Sequence, residues 1–169
     1  MLMFSQKGNP ANYFANSNKL LLDHGANTEA RTLRGEETAL INASEWGKLE
    51  IVKLLLDNGA NIEASKSDGT TSLWIACGNG NIDIVKILLE NNANIEASKN
   101  DGTTSLWVAC NNGHIDIVKI LLENNADIQA RTSYGTTCLV AASHSDHKEI
   151  VRLLEERARQ LNIPTYMIF

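Results

Sequence analysis

Apolar residues along this chain return in a fixed rhythm. Ile84, Val85, Leu88 and Leu89 fall at i, i+1, i+4 and i+5, the stripe of an amphipathic helix. The leading pair recurs as Ile51–Val52, Ile117–Val118 and Ile150–Val151, each 33 residues after the last. Three further columns keep that interval: Thr38, Thr71, Thr104 and Thr137; Leu40, Leu73, Leu106 and Leu139; Ala43, Ala76, Ala109 and Ala142. Four columns at one period define a repeat, and a short period signals stacked units.

Each unit reads as a turn and two helices. In residues 65–97, "SKSDG" is a turn, with Asp68 before Gly69. Thr71 is an N-cap for a short helix over roughly Ser72–Asn79, and a second helix is expected over Ile82–Glu90. The second helices close at Gly25, Gly59, Asn92 and Asn125, the two residue types that accept a left-handed cap. Their outer faces carry the i,i+3 pairs Glu50–Lys53, Asp83–Lys86, Asp116–Lys119 and Glu149–Arg152, expected in solvent.

The Gly-x-Thr-x-Leu-x-x-Ala phrase (Gly69, Thr71, Leu73, Ala76) and the glycines Gly80 and Gly113 resemble the ankyrin repeat. So do the Ile-Val-x-x-Leu-Leu helices and the closing "NGANIEA", "NNANIEA" and "NNADIQA". The resemblance implies an all-α solenoid of helix-turn-helix units joined by hairpin-like turns. The expected organisation is a segment 1–17, a half-unit 18–30, full units 31–64, 65–97, 98–130 and 131–162, and an apolar tail 163–169. One extra residue in "RGEET" is absorbed by a turn, and the charged last helix serves as a terminal cap. The tail either folds back on the last helix or is partly disordered, or it meets a partner or second copy.

The repeat phrase departs from the family's usual Thr-Pro-Leu-His. Trp74 and Trp107 stand at the histidine position, with Ile41 and Val140 in the flanking units. An indole donates one hydrogen bond and accepts none. Both tryptophans are therefore expected to be mostly buried between adjacent units. Some family members are hydroxylated on an asparagine in the column held here by Glu29, Glu63, Glu96 and Gln129, so that modification finds no acceptor.

Charge and chemistry narrow the function. A net charge of −5 speaks against nucleic acid as the main ligand, and no apolar run is long enough for a membrane helix. Cys77, Cys110 and Cys138 lack metal-ligand spacing and read as reduced thiols of an intracellular, cytoplasmic protein. Cys77 and Cys110 are expected to be buried, Cys138 partly so. The "HSDH" stretch (144–147) offers two histidines and an aspartate, yet His147 repeats the column of His114, so a metal site is set aside. No catalytic motif is present and no cofactor is expected.

What remains is recognition of another protein by a monomer. The resemblance implies a binding face built from turn tips and first helices. Carried over by column, it comprises Leu33, Arg34, Ser67, Asp68, Asn100, Asp101, Ser133 and Tyr134 at the tips. Glu45, Trp46, Asn79, Asn111, Asn112 and His144 follow at the ends of first helices. Trp46 and Tyr134 are the expected hot spots. A regulatory fragment of a larger protein, a host-targeted effector, or a self-associating structural protein are the alternatives.

Overall fold

The computed structural model describes residues 24–32, 37–164 and 167–168. Leu33 and Arg34, the segment 1–17 and the first residues of the half-unit lie outside them.

Eight helices occupy the described residues, in four pairs: α1 (Ala39–Glu45) with α2 (Leu49–Asp57), α3 (Ser72–Gly78) with α4 (Ile82–Glu90), α5 (Ser105–Asn111) with α6 (Ile115–Glu123), and α7 (Cys138–His144) with α8 (Lys148–Gln160). Each first helix starts on a threonine. The side-chain oxygens of Thr38, Thr71, Thr104 and Thr137 accept from the backbone N–H of Ile41, Trp74, Trp107 and Val140. That satisfies one of the orphan donors at the helix start. The first helices end one residue before the sequence reading, at Gly78 in α3, with Asn79 as C-cap.

Second helices stop where left-handed backbone is available, at Gly59 (φ 75°), Asn92 (φ 63°) and Asn125 (φ 63°). The asparagine just before each stop turns back on its own helix. Asn58, Asn91 and Asn124 donate from Nδ2 to the carbonyls of Leu54, Ile87 and Ile120 at 2.8–2.9 Å. Helix α8 runs a turn longer than its counterparts and buries Ile150, Leu154 and Ala158, a four-residue spacing along one face.

First helices stack on first helices and second on second, with closer approach in the first layer. The array therefore curves toward the first-helix side. One continuous core runs between the layers, from Leu40 and Val52 through Leu73, Leu88, Leu106 and Leu121 to Leu139 and Leu154. Of the expected surface ion pairs, Glu50–Lys53 closes at 3.2 Å and Asp116–Lys119 at 3.6 Å.

Within the core, small residues of one pair abut those of the next. Cys77 lies beside Ser105 and Cys110 beside Cys138, and burial pushes both Cys77 and Cys110 far above the usual thiol range. All three cysteines are free. Cys138 is fully buried rather than partly so, with its thiol 3.5 Å from the Ile128 carbonyl. Its place against α5 is that of Ser72 and Ser105, both wholly buried.

The C-terminal residues fold back, and further than onto the last helix. Ile168 is only 1% exposed and joins the core. The Thr137 hydroxyl donates to its carbonyl, and Arg131 Nη2 donates to the Met167 carbonyl at 2.9 Å. The tail thus packs against the start of α7 and the adjoining core.

Candidate functional site

The first-helix side and its turn tips are assembled by hydrogen bonds between successive units. Asn79 Nδ2 reaches back to the Glu45 carbonyl at 3.0 Å, and Asn112 Nδ2 to the Gly78 carbonyl at 2.9 Å. The next column adds Asn81 to the Ser44 carbonyl, His114 Nε2–H to Gly78 and His147 Nε2–H to Asn111, at 2.9–3.0 Å. The C-termini of α1, α3 and α5 therefore have open carbonyls capped by side chains from the following unit. At the tips, Asn100 N–H donates to the Asp68 carbonyl and Ser133 N–H to the Asp101 carbonyl, both at 2.8 Å. On the opposite edge Glu29, Glu63 and Glu96 accept from the amides of Asn61, Asn94 and Asp127 at 2.8–2.9 Å.

Several candidate residues are thus engaged within the chain. Asn79, Asn100 and Asn112 spend their amide donors on neighbouring carbonyls. Asn111 donates to Asn112 Oδ1 and accepts from Ser145. Glu45 lies 3.7 Å from Lys66, which also meets Glu37 at 2.7 Å. That Lys66 hydrogen bond is the chief reason Glu37 sits below the ordinary carboxylate range. Ser67, Ser133 and His144 stand in solvent.

Trp46 and Tyr134 are the outliers. Trp46, the C-cap of α1, is 67% exposed, and Tyr134, in a turn tip, is 86% exposed. In the Trp46 column the asparagines reach back to a preceding unit, whereas the indole does no such work. Neither ring is required by the core.

Trp74 and Trp107 are mostly covered, as the sequence suggests, and pack against the core with a minor part of each ring left accessible. Ile41, at the same position, is completely covered. Each indole N–H is buried without a hydrogen-bond partner, so the accessible part of each ring is apolar. Trp74 has its face under Lys99, whose Nζ is 4.8 Å from the ring centroid. The same ammonium is 2.9 Å from Asp68 Oδ2. Burial alone would raise the Asp68 carboxyl, but bonds from Thr70 and Lys99 hold it at about 2. At Asp101 the hydrogen bond from the Thr103 hydroxyl, 2.7 Å away, likewise lowers the carboxyl. This lysine–tryptophan–aspartate cluster is not among the expected site residues, although the 33-residue alignment of Lys66 with Lys99 carried the signal.

Among the described residues no group of three or more His, Cys, Asp or Glu is placed to hold a metal, and no helix is long and apolar enough to cross a membrane. A cleft of about 240 Å³ between α6 and α8 mixes Lys119 and Arg157 with Glu123 and Glu156. It lies on the second-helix side, away from the exposed aromatics.

Paired helices, threonine caps and interlocked turns agree with a family model described as ankyrin repeats in three copies, which matches residues 9–99, 59–132 and 92–165. The chain belongs to the ankyrin repeat family. No curated protein matches it significantly. Ankyrin repeats are in general protein–protein interaction modules, and in this ankyrin chain the first-helix side and turn tips display the large exposed aromatics.

Proposed function

We propose that this ankyrin chain is a recognition module that binds a partner protein across its turn tips and the solvent side of its first helices, as a monomer and without chemistry of its own. The observation that carries the reading is the exposure of Trp46 and Tyr134 on a surface whose asparagines Asn79, Asn100, Asn111 and Asn112 are tied into the scaffold. A surface already ordered by inter-unit hydrogen bonds loses little conformational entropy on binding, and exposed aromatics supply large contact area. The working units are 31–64, 65–97, 98–130 and 131–162 after the half-unit 18–30. Glu45, Ser67, Asp68, Asn100, Asp101, Asn111, Ser133 and His144 frame the contact. Self-association through the tail is disfavoured by the burial of Ile168 in its own chain. The buried free thiols support an intracellular setting.

The test is capture of partners from source cells with the wild-type chain and with Trp46→Ala/Tyr134→Ala. Recovery should fall at least about tenfold in the double variant, the size expected when a hot-spot aromatic is removed. Thermal unfolding of the two proteins should coincide, since both rings lie outside the core. Equal recovery by both proteins would sink the proposed surface.

A further inference from the structure

The tip cluster of one unit shows what the same position in the next unit is built to hold. Lys99 stands between Asp68 and the face of Trp74, with its ammonium 2.9 Å from the carboxylate and 4.8 Å from the ring centroid. One repeat later the carboxylate and the ring recur as Asp101 and Trp107. The backbone confirms the correspondence. Lys66, Lys99 and Thr132 each donate N–H to the carbonyl four residues on, at Thr70, Thr103 and Thr136. Asp68 and Asp101 each bind the amide two residues on, at Thr70 and Thr103. Trp74 and Trp107 have the same partial exposure class and the same buried indole N–H.

The lysine does not recur. Thr132 takes its place, too short to reach the ring, and its hydroxyl is 2.7 Å from that of Thr136. Arg131, next to it, directs its guanidinium to the carbonyls of Gly135 and Met167. Among the described residues no lysine or arginine stands in ion-pair contact with Asp101; the charge of Lys99, itself paired with Asp68, acts on it only as a minor influence beside the Thr103 hydrogen bonds. Both contacts from Thr103 fall on Oδ1, so they do not engage Oδ2, the counterpart of the Asp68 oxygen that meets Lys99.

We propose that Trp107 and Asp101 form a receptor for a lysine side chain of the partner protein, which takes the place that Lys99 occupies one unit earlier. This rests on the recognition reading above and specifies its chemistry. The ring quadrupole attracts the ammonium, the carboxylate neutralises it, and the aliphatic stem covers the exposed ring edge. A neutral side chain gains neither electrostatic contribution. An alkylammonium is chosen over a guanidinium because the chain's own occupant is a lysine. Tyr134, two residues beyond Thr132 and almost fully exposed, stands in the adjoining tip where residues flanking that lysine would pass.

The probe is the peptide acetyl-Gly-Lys-Gly-amide, titrated into the full chain labelled with nitrogen-15 while the Trp107 indole resonance is followed. A saturable shift of Trp107 is expected, with Trp74, already covered by Lys99, staying put. The same peptide with acetylated lysine should bind at least about threefold more weakly, the scale of an exposed cation–π contact. Asp101→Asn should weaken the lysine peptide to a similar degree. Thr132→Lys should abolish the response, because it restores the arrangement of the preceding unit within the chain. Equal shifts with the acetylated peptide, equal shifts at Trp74, an undiminished response in Thr132→Lys, or no shift would each overturn the proposal. Failure here leaves the Trp46/Tyr134 capture result standing, and failure of that capture leaves the peptide titration intact.

Discussion

Gly113 and Asp146 occupy the same turn in successive units, and both have positive φ, 77° and 58°. The difference between them is what lies above. A Cβ on Gly113 would come within 2.6 Å of the His147 ring, whereas Asp146 already carries a side chain at the same left-handed position and is exposed. Glycine is needed at Gly113 for conformation and for space, and at Asp146 conformation is the only demand. Gly113→Ala should therefore lower unfolding stability by about 1–3 kcal/mol. Asp146→Gly should shift it by less than about 1 kcal/mol. Urea unfolding of both variants checks the contrast, and equal losses would refute the packing argument.

The tip carboxylates make a second residue-scale prediction. The folded pKa of Asp68, about 2, lies below the ordinary aspartate value near 4 of the unfolded chain. The unfolded state thus binds the proton first. The stabilisation is complete above about pH 4 and is lost as pH falls toward 2. A carboxyl titration by NMR should place the Asp68 midpoint near 2 in the wild type and higher in Lys99→Met. An unmoved midpoint in that variant would remove the lysine from the account.

At the scale of elements, threonine caps and the folded-back tail carry separable contributions. Thr104→Ala leaves the α5 N-terminus without its side-chain acceptor and should cost about 1 kcal/mol. Ile168→Ala removes a side chain that is buried at the C-terminal end of the core. A large-to-small change of this kind costs about 2–5 kcal/mol in a closed core, and the lower end applies where a chain end can relax. Thermal unfolding should rank Ile168→Ala below Thr104→Ala, and an unaffected melting temperature would mean the tail contributes nothing to the cap. Sedimentation of either variant should give the monomer mass if the tail serves its own chain.

Over the whole molecule, stability comes from nearest-neighbour junctions repeated along the array. His114 and His147 make the same bond to the preceding helix end, one in an internal junction and one in the last. His147→Ala should loosen α7 and α8 first and broaden the unfolding transition, while His114→Ala lowers the midpoint of the whole stack. Hydrogen exchange resolved along the chain reads the difference. Identical protection patterns in the two variants would contradict a junction-by-junction fold.

The fold was legible because its determinants are local and periodic. A threonine before a short apolar stripe, and a glycine or asparagine after a longer one, specify helix starts and stops with little help from tertiary contacts. Eight helices and their pairing follow from those columns. Exposure of Trp46 and Tyr134 was legible for a related reason, since each breaks a column otherwise filled by small or polar residues. The rest depended on which unit a side chain reaches into, and that is invisible in one sequence window. Asn79 and Asn112 also bracket successive units, because their acceptor carbonyls lie 34 positions back. Trp74 and Trp107 pack against the core as seam residues, with a minor part of each ring left accessible. The sequence by itself determined the repeat, its caps and its family, through chemistry confined to a few neighbouring residues. Only the tertiary structure decided which polar groups are spent inside the scaffold and where Ile168 goes. It also decided that Lys99, and not Thr132, covers a tryptophan, because stacking brings together side chains a full repeat apart.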